Sequence, residues 1–183
     1  LTPTEPERQL IEACKAGEIC VLGDGTRPEG PDDSRTIRAE VLRYLILGGC
    51  QECRAHEWGV RLEGAWICGQ LDLSFATAAG TTSLIACGFE QRVEALQTRF
   101  ELVDLSGSTL PGLMAEGLVA ASHLVMGDGF IAEGEVSLSG AQIGGQLACI
   151  GGRFRGAGSF ALNAQSALVA GGVQIAGLIR IVP

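Results

Sequence analysis

The sequence predicts a mainly β chain: a right-handed, four-sided parallel β-helix of about five to six coils, closed at its N-terminus by a helical cap. Three observations predict it. From about Val60 to Ile175, pairs of apolar residues separated by one spacer return every five or six positions, with turns between them that often contain Gly. That beat fits neither the helical period nor the longer strands of a sandwich. Twenty-seven glycines beside 5% aromatic residues suit stacked short strands around a narrow core better than a compact globule. The stretch before Val60 lacks the beat and carries helix signals instead.

Taken in order, Thr4 is placed to cap a helix over roughly Glu5–Ala16, with acidic residues in its first turn and Gly17 as its stop. Residues 23–33, rich in Gly, Pro and Asp, read as a loop. Ser34 then caps a second helix to about Leu47, whose apolar face is Ile37, Val41, Leu42, Leu45 and Ile46, ending at Gly48-Gly49. That face needs a partner, and the first coil of a solenoid needs a cover over its core and strand edges. Residues 1–58 are therefore expected to form a two-helix cap and residues 59–183 the β-helix.

Within the β-helix, Val136-Ser-Leu138, Ala141-Gln-Ile143 and Leu147-Ala-Cys149 show the beat most cleanly, and Val60-Arg-Leu62, Ala65-Trp-Ile67 and Val103-Asp-Leu105 repeat it. The residues flanking each spacer should point inward and the spacers (Asp72, Glu94, Asp104, Gln142) outward. The inward markers run Leu62, Ile67, Leu73, Ala78, Ile85, Phe89, Ala95, Phe100, Leu105, Leu110, Ala115, Ala120, Met126, Ile131, Leu138, Ile143, Cys149 and Phe154. Stacked at roughly 4.8 Å per coil, they make a rod just under about 30 Å long. Register slips or protruding loops are expected at 79–85, 111–125 and 155–170.

This pattern resembles a degenerate form of the pentapeptide-repeat proteins, as in Ala65-Trp-Ile67, Cys87-Gly-Phe89 and Ala141-Gln-Ile143. The blocks at 64–74, 103–113 and 134–147 are also similar to uncharacterised bacterial proteins sometimes labelled membrane-associated oxidoreductases. The resemblance covers about two-thirds of the chain. It implies architecture, and no cofactor site accompanies the label in these residues.

Candidate chemistry is confined to one corner. Cys50-Gln-Glu-Cys53 followed by His56 has metal-like spacing, since two thiolates and an imidazole could reach one zinc ion, but no fourth ligand lies near. Ordinary reduced cysteines are the favoured reading there, and Cys68, Cys87 and Cys149 fall in or beside inward positions as small hydrophobes. Seven cysteines, an odd number with no secretory leader, favour a reducing, cytoplasmic setting. Gly23-Asp-Gly25, Gly127-Asp-Gly129 and Gly156-Ala-Gly158 imitate part of a dinucleotide fingerprint without its strand-to-helix context, so no cofactor is expected. His123 reads as a surface or loop residue. The start at Leu1 and the ending Ile179-Arg-Ile181 suggest a piece of a longer chain.

A net charge of -8 disfavours binding to nucleic acid or an anionic membrane, and no apolar run is long enough to span a bilayer. Some pentapeptide-repeat proteins are acidic rods that imitate DNA and bind topoisomerases. From Val60 onward, however, ten acidic residues face six arginines, too thin a stripe for a mimic. The expected function is a non-enzymatic scaffold or interaction module that meets a protein partner, or itself, through the β-helix end or face. A DNA-mimic regulator of a topoisomerase-like enzyme, and a metal or redox protein using Cys50, Cys53 and His56, are the alternatives.

Overall fold

The computed structural model describes residues 2–53, 55–157, 160–176 and 178–182, without the side chains at 55, 56, 157 and 178–182. Four parallel sheets run along one rod: the first and second faces hold seven strands each, the third and fourth hold four. The chain visits the faces in turn, through Leu102–Asp104, Thr109–Leu110, Leu113–Met114 and Val119–Ala120, and regains the first face at Leu124–Val125. It completes about five turns. On the first face Val60 pairs with Thr82, Thr82 with Val103, Val103 with Leu124, Leu124 with Leu147 and Leu147 with Val173, so the coils lengthen toward the far end.

Most of the short strands from Val60 to Ala148 send one side chain in and the next one out. Val60 and Leu62 are buried where Arg61 and Glu63 are not. Stacking turns this alternation into inward columns, such as Ile37, Ile67 and Phe89 followed by Leu110, Ala132 and Phe154 on the second face. No coil buries enough apolar surface to stand alone, so the shared column is what makes the rod stable. Phe130 and Phe154 are fully buried, with ring centroids 5.5 Å apart. Inward corners also use hydroxyls. The buried Ser108 Oγ donates to the Leu84 carbonyl (2.7 Å) and accepts from the Cys87 N–H (2.8 Å), while Thr98 Oγ1 donates to the Leu73 carbonyl (2.7 Å).

The inward markers hold except at two positions. Leu84 and Ala132 point in, and Ile85 and Ile131 stand half-exposed beside them. Stretch 111–125 does not slip: Leu113–Met114, Val119–Ala120 and Leu124–Val125 pair in register with the coils on either side. Stretch 155–170 includes residues 158–159, outside the described residues.

Helix α1 (Glu5–Ala16) has its expected bounds, with the Glu7 carboxylate accepting from the Thr4 N–H at 2.8 Å and Gly17 left-handed at φ 71°. Helix α2 (Ala39–Ile46) starts later than Ser34. Thr36–Arg38 is instead a strand paired with Trp66–Cys68, and Cys20–Val21 pairs with Leu62 and Glu63, so the first residues supply a rung of the solenoid themselves. Ile37 is fully buried in the inward column, and ladder bonds plus that burial outweigh helix propensity. Buried Leu42, Leu45 and Ile46 of α2 and Leu10 and Cys14 of α1 join the core at this end. The one-turn helix α3 (Ala55–Trp58) leads into Val60. No described helix is long and apolar enough to cross a membrane.

Candidate functional site

Between Cys20–Val21 and Thr36–Arg38 the chain leaves the rod as a strap, residues 22–35, which runs down the edge between the first and second faces. Local polar contacts shape it. Asp24 accepts from the Thr26 N–H and hydroxyl (3.2 and 2.6 Å), and Arg35 pairs with Asp24 at 3.1 Å. Arg27 anchors it, its Nη1 donating to the carbonyls of Gly107 (2.6 Å) and Gly129 (3.0 Å), which belong to corners of two successive coils. One guanidinium thus fastens the strap far below its root.

Beside the strap, the outward column of the second face reads Thr36, Trp66, Gly88, Thr109, Ile131, Arg153. The absent side chain at Gly88 decides the local shape. A Cβ there would lie 2.6 Å from the Trp66 ring and 3.4 Å from the Pro28 carbonyl, so the indole lies over Gly88 against the strap. The indole Nε1 is buried without a hydrogen-bond partner. Below it opens a cleft of about 720 Å³, walled by Arg27, Pro28 and Glu29 of the strap and by Trp66, Thr109 and Pro111 of the rod, with Glu133 at its margin. That volume lies in the range of ligand pockets, typically about 300–1,000 Å³.

The charges in this cleft nearly balance. Arg27 keeps its positive charge while donating to two neutral carbonyls, and Arg155 Nη1 holds both oxygens of Glu133 at 3.0 and 3.1 Å. Glu29 is exposed and has no ion-pair partner among the described residues. The cleft therefore presents a carboxylate and a guanidinium, Glu29 and Arg27, beside an aromatic wall.

The Cys50 and Cys53 corner takes a different form from the reduced thiols the sequence suggested. The turn after α2 brings their Cα atoms to 5.3 Å and the two sulfurs are bonded, so this pair has no thiolate to offer a metal. The side chain of His56 lies outside the described residues. Among the described residues, no group of three or more His, Cys, Asp or Glu is arranged to hold a metal ion. Cys53 is buried in the core, and Cys50 is half-exposed beside Lys15.

Four of the unpaired cysteines are core residues, and Cys68 is half-exposed. Burial pushes the thiols of Cys14 and Cys20 up to about 11 and those of Cys87 and Cys149 up to about 12, so they stay protonated near neutral pH. Cys68 is raised too, by burial and then by Glu90. His123 has a role its spacing did not reveal: its Nδ1 accepts from the Gln146 N–H at 2.9 Å and ties one coil to the next. Gly127-Asp128-Gly129 forms a corner between faces and Gly23-Asp24-Gly25 lies in the strap, neither of them opening a helix.

No protein-family model matches the chain. No curated protein and no solved structure matches it. The parallel β-solenoid therefore rests on this chain's own ladders. Sequence reasoning missed the cleft, although one signal was available: Trp66 and Gly88 fall one coil apart in a column where a ring needs an empty neighbour.

Proposed function

We propose that the chain is a non-enzymatic scaffold or protein-interaction module, and that the cleft between strap and second face is the surface it presents. The observation that carries this reading is the cleft: strap and rod together build a concavity of about 720 Å³ with an aromatic wall, a carboxylate and a guanidinium. The cap over 1–58 and the solenoid over 59–183 act together in this reading, because the strap of the first forms a wall on the second. The spacing of Ala65-Trp66-Ile67 and Ala141-Gln142-Ile143 supports treating the coils as degenerate pentapeptide repeats.

A Thr109→Arg substitution, which fills the cleft from its floor, tests the reading by affinity capture and cross-linking. A partner held by the native chain and lost with Thr109→Arg supports it; a partner held equally by both sinks it. Self-association has its own supporting observation, since Leu168, Val173 and Ile175 are 68%, 53% and 46% exposed toward the far end. A dimer in light scattering that Val173→Glu dissolves would place the contact there. DNA mimicry finds less support. Among the pairings of the described residues, Asp72 and Glu94 alone set two carboxylates on successive coils, and Glu94 is paired with Arg92.

A further inference from the structure

We infer that the Cys50–Cys53 pair is a thiol–disulfide exchange site, a reversible couple that opens to two thiols on meeting a dithiol reductant and closes again on oxidation. Its surroundings share no residue with the strap cleft. The pair is set apart first by the company it keeps. Of the seven cysteines five are unbonded, and four of those five are buried thiols that the core holds protonated. The one bond joins residues three apart in a single turn, so it ties no distant elements together, and closing so short a loop restricts the unfolded chain least.

The two sulfurs are also placed unequally. Cys50 is half-exposed and opens into a concavity of about 450 Å³ lined also by Ile11, Lys15, Tyr44 and Gly49, which leaves room for an incoming thiol. Cys53 is 8% exposed, and its Sγ lies 3.9 Å from the Ile11 carbonyl of α1, an acceptor within reach of the S–H that reduction creates. The burial of Cys53 and the Lys15–Glu52 pair at 3.2 Å keep the loop against α1 without help from the bond, so opening it need not unfold the cap.

The exchange balances as a two-electron step. A thiolate of the dithiol attacks Cys50 Sγ, the more exposed sulfur; the S–S bond breaks, and Cys53 Sγ leaves with the electron pair and takes up a proton. The reductant's second thiolate then attacks the reductant's own sulfur in the mixed disulfide, closes a ring and releases Cys50 as a thiolate, which is protonated in turn. The protein disulfide is reduced to two thiols and the dithiol is oxidised to a disulfide. A monothiol has no second thiolate, and Cys53, held beside the mixed disulfide at high effective concentration, expels it again. The class of co-reactant is therefore a dithiol.

The intact chain, equilibrated with mixtures of reduced and oxidised dithiothreitol, then quenched in acid, unfolded and alkylated, reports every free thiol by mass. The expected result is a rise from five labels to seven in one step as the reduced fraction grows, with circular dichroism unchanged. Reduced glutathione at the same thiol concentration should leave a larger share of the bond closed. With oxidised glutathione, Cys53→Ala should accumulate a mixed disulfide at Cys50, and Cys50→Ala should form one at Cys53 at least about tenfold more slowly. A bond that persists in dithiothreitol until urea unfolds the chain, or a helix signal that falls in step with reduction, identifies a structural staple and overturns the inference. Seven labels at every ratio, or equal adduct rates in the two folded variants, overturn it as well.

Discussion

The carboxylate of Glu7, fully buried in α1, receives three donors from Arg38 on the first rung of the solenoid: the backbone N–H at 3.1 Å, Nε at 2.7 Å and Nη2 at 2.6 Å. The Thr4 N–H adds a fourth at 2.8 Å. One residue therefore caps its own helix and fastens that helix to the sheet. Burial by itself would raise the Glu7 pKa, but the Arg38 guanidinium and the two backbone N–H groups outweigh it and hold the carboxyl at about 2.

The sign of the pH dependence follows. A carboxyl depressed from its ordinary 4.5 to about 2 adds stability that is fully present above about 4.5 and is lost as pH falls toward 2. The contribution is about 3 kcal/mol. Urea unfolding between pH 6 and pH 2.5 should show a decline that Glu7→Gln largely removes, and the variant should be weaker than the native chain by a similar amount at pH 7. A parallel decline in both proteins would deny Glu7 this role.

Ser108→Ala should cost more than Thr98→Val. The first leaves the buried Cys87 N–H without its acceptor as well as removing a donor to Leu84, for about 2 kcal/mol. The second removes one donor to a carbonyl that also accepts from the Ala76 N–H, for about 1 kcal/mol. Denaturant midpoints of the two variants decide the order.

Reduction should act at one place. The Cys50–Cys53 bond closes a loop of sequence separation 3, worth roughly 2 kcal/mol on the chain-entropy account. Alkylation without reduction should reach the half-exposed Cys68, mild reduction should add Cys50, and Cys14, Cys20, Cys87 and Cys149 should remain unlabelled until the chain is unfolded, as mass spectrometry would show. Labelling of Cys87 in the folded protein would contradict the packing described above.

Gly88→Ala should dislodge Trp66. Its methyl would sit 2.6 Å from the ring, so the indole must swing off the rod, at a cost of about 1–3 kcal/mol. In a Trp58→Phe background the emission of Trp66 should shift to the red, toward that of a wetter ring. An unshifted spectrum would mean that the strap moves instead.

Much of this architecture was legible because its signal is periodic. Leu62, Leu105 and Leu138 each repeat a local choice, and errors in one coil do not spread to the next. The errors that did occur are local in the same way. At Leu84-Ile85 and Ile131-Ala132, two adjacent apolar residues compete for the inward place, and the composition of the pair does not say which wins. Thr36–Arg38 reads locally as a helix start because its ladder partner, Trp66–Cys68, is remote in sequence. The cleft and the Cys50–Cys53 bond were hidden for a related reason. Both depend on where a loop lies in space, which no period encodes.

The hold of Arg27 on Gly107 and Gly129 also bears on how the molecule comes apart. In a stack bound only to its neighbours, coils can fray one at a time from either end. The strap ties the first rung to corners several coils away, so the intervening coils open together or not at all. Beyond Gly129 no such tie is seen among the described residues, and the coils through Leu147–Ala148 and Val173–Gln174 hang on nearest-neighbour contacts. The rod is thus a cooperative block followed by a zipper, and exchange of amide protons should be fastest along the zipper.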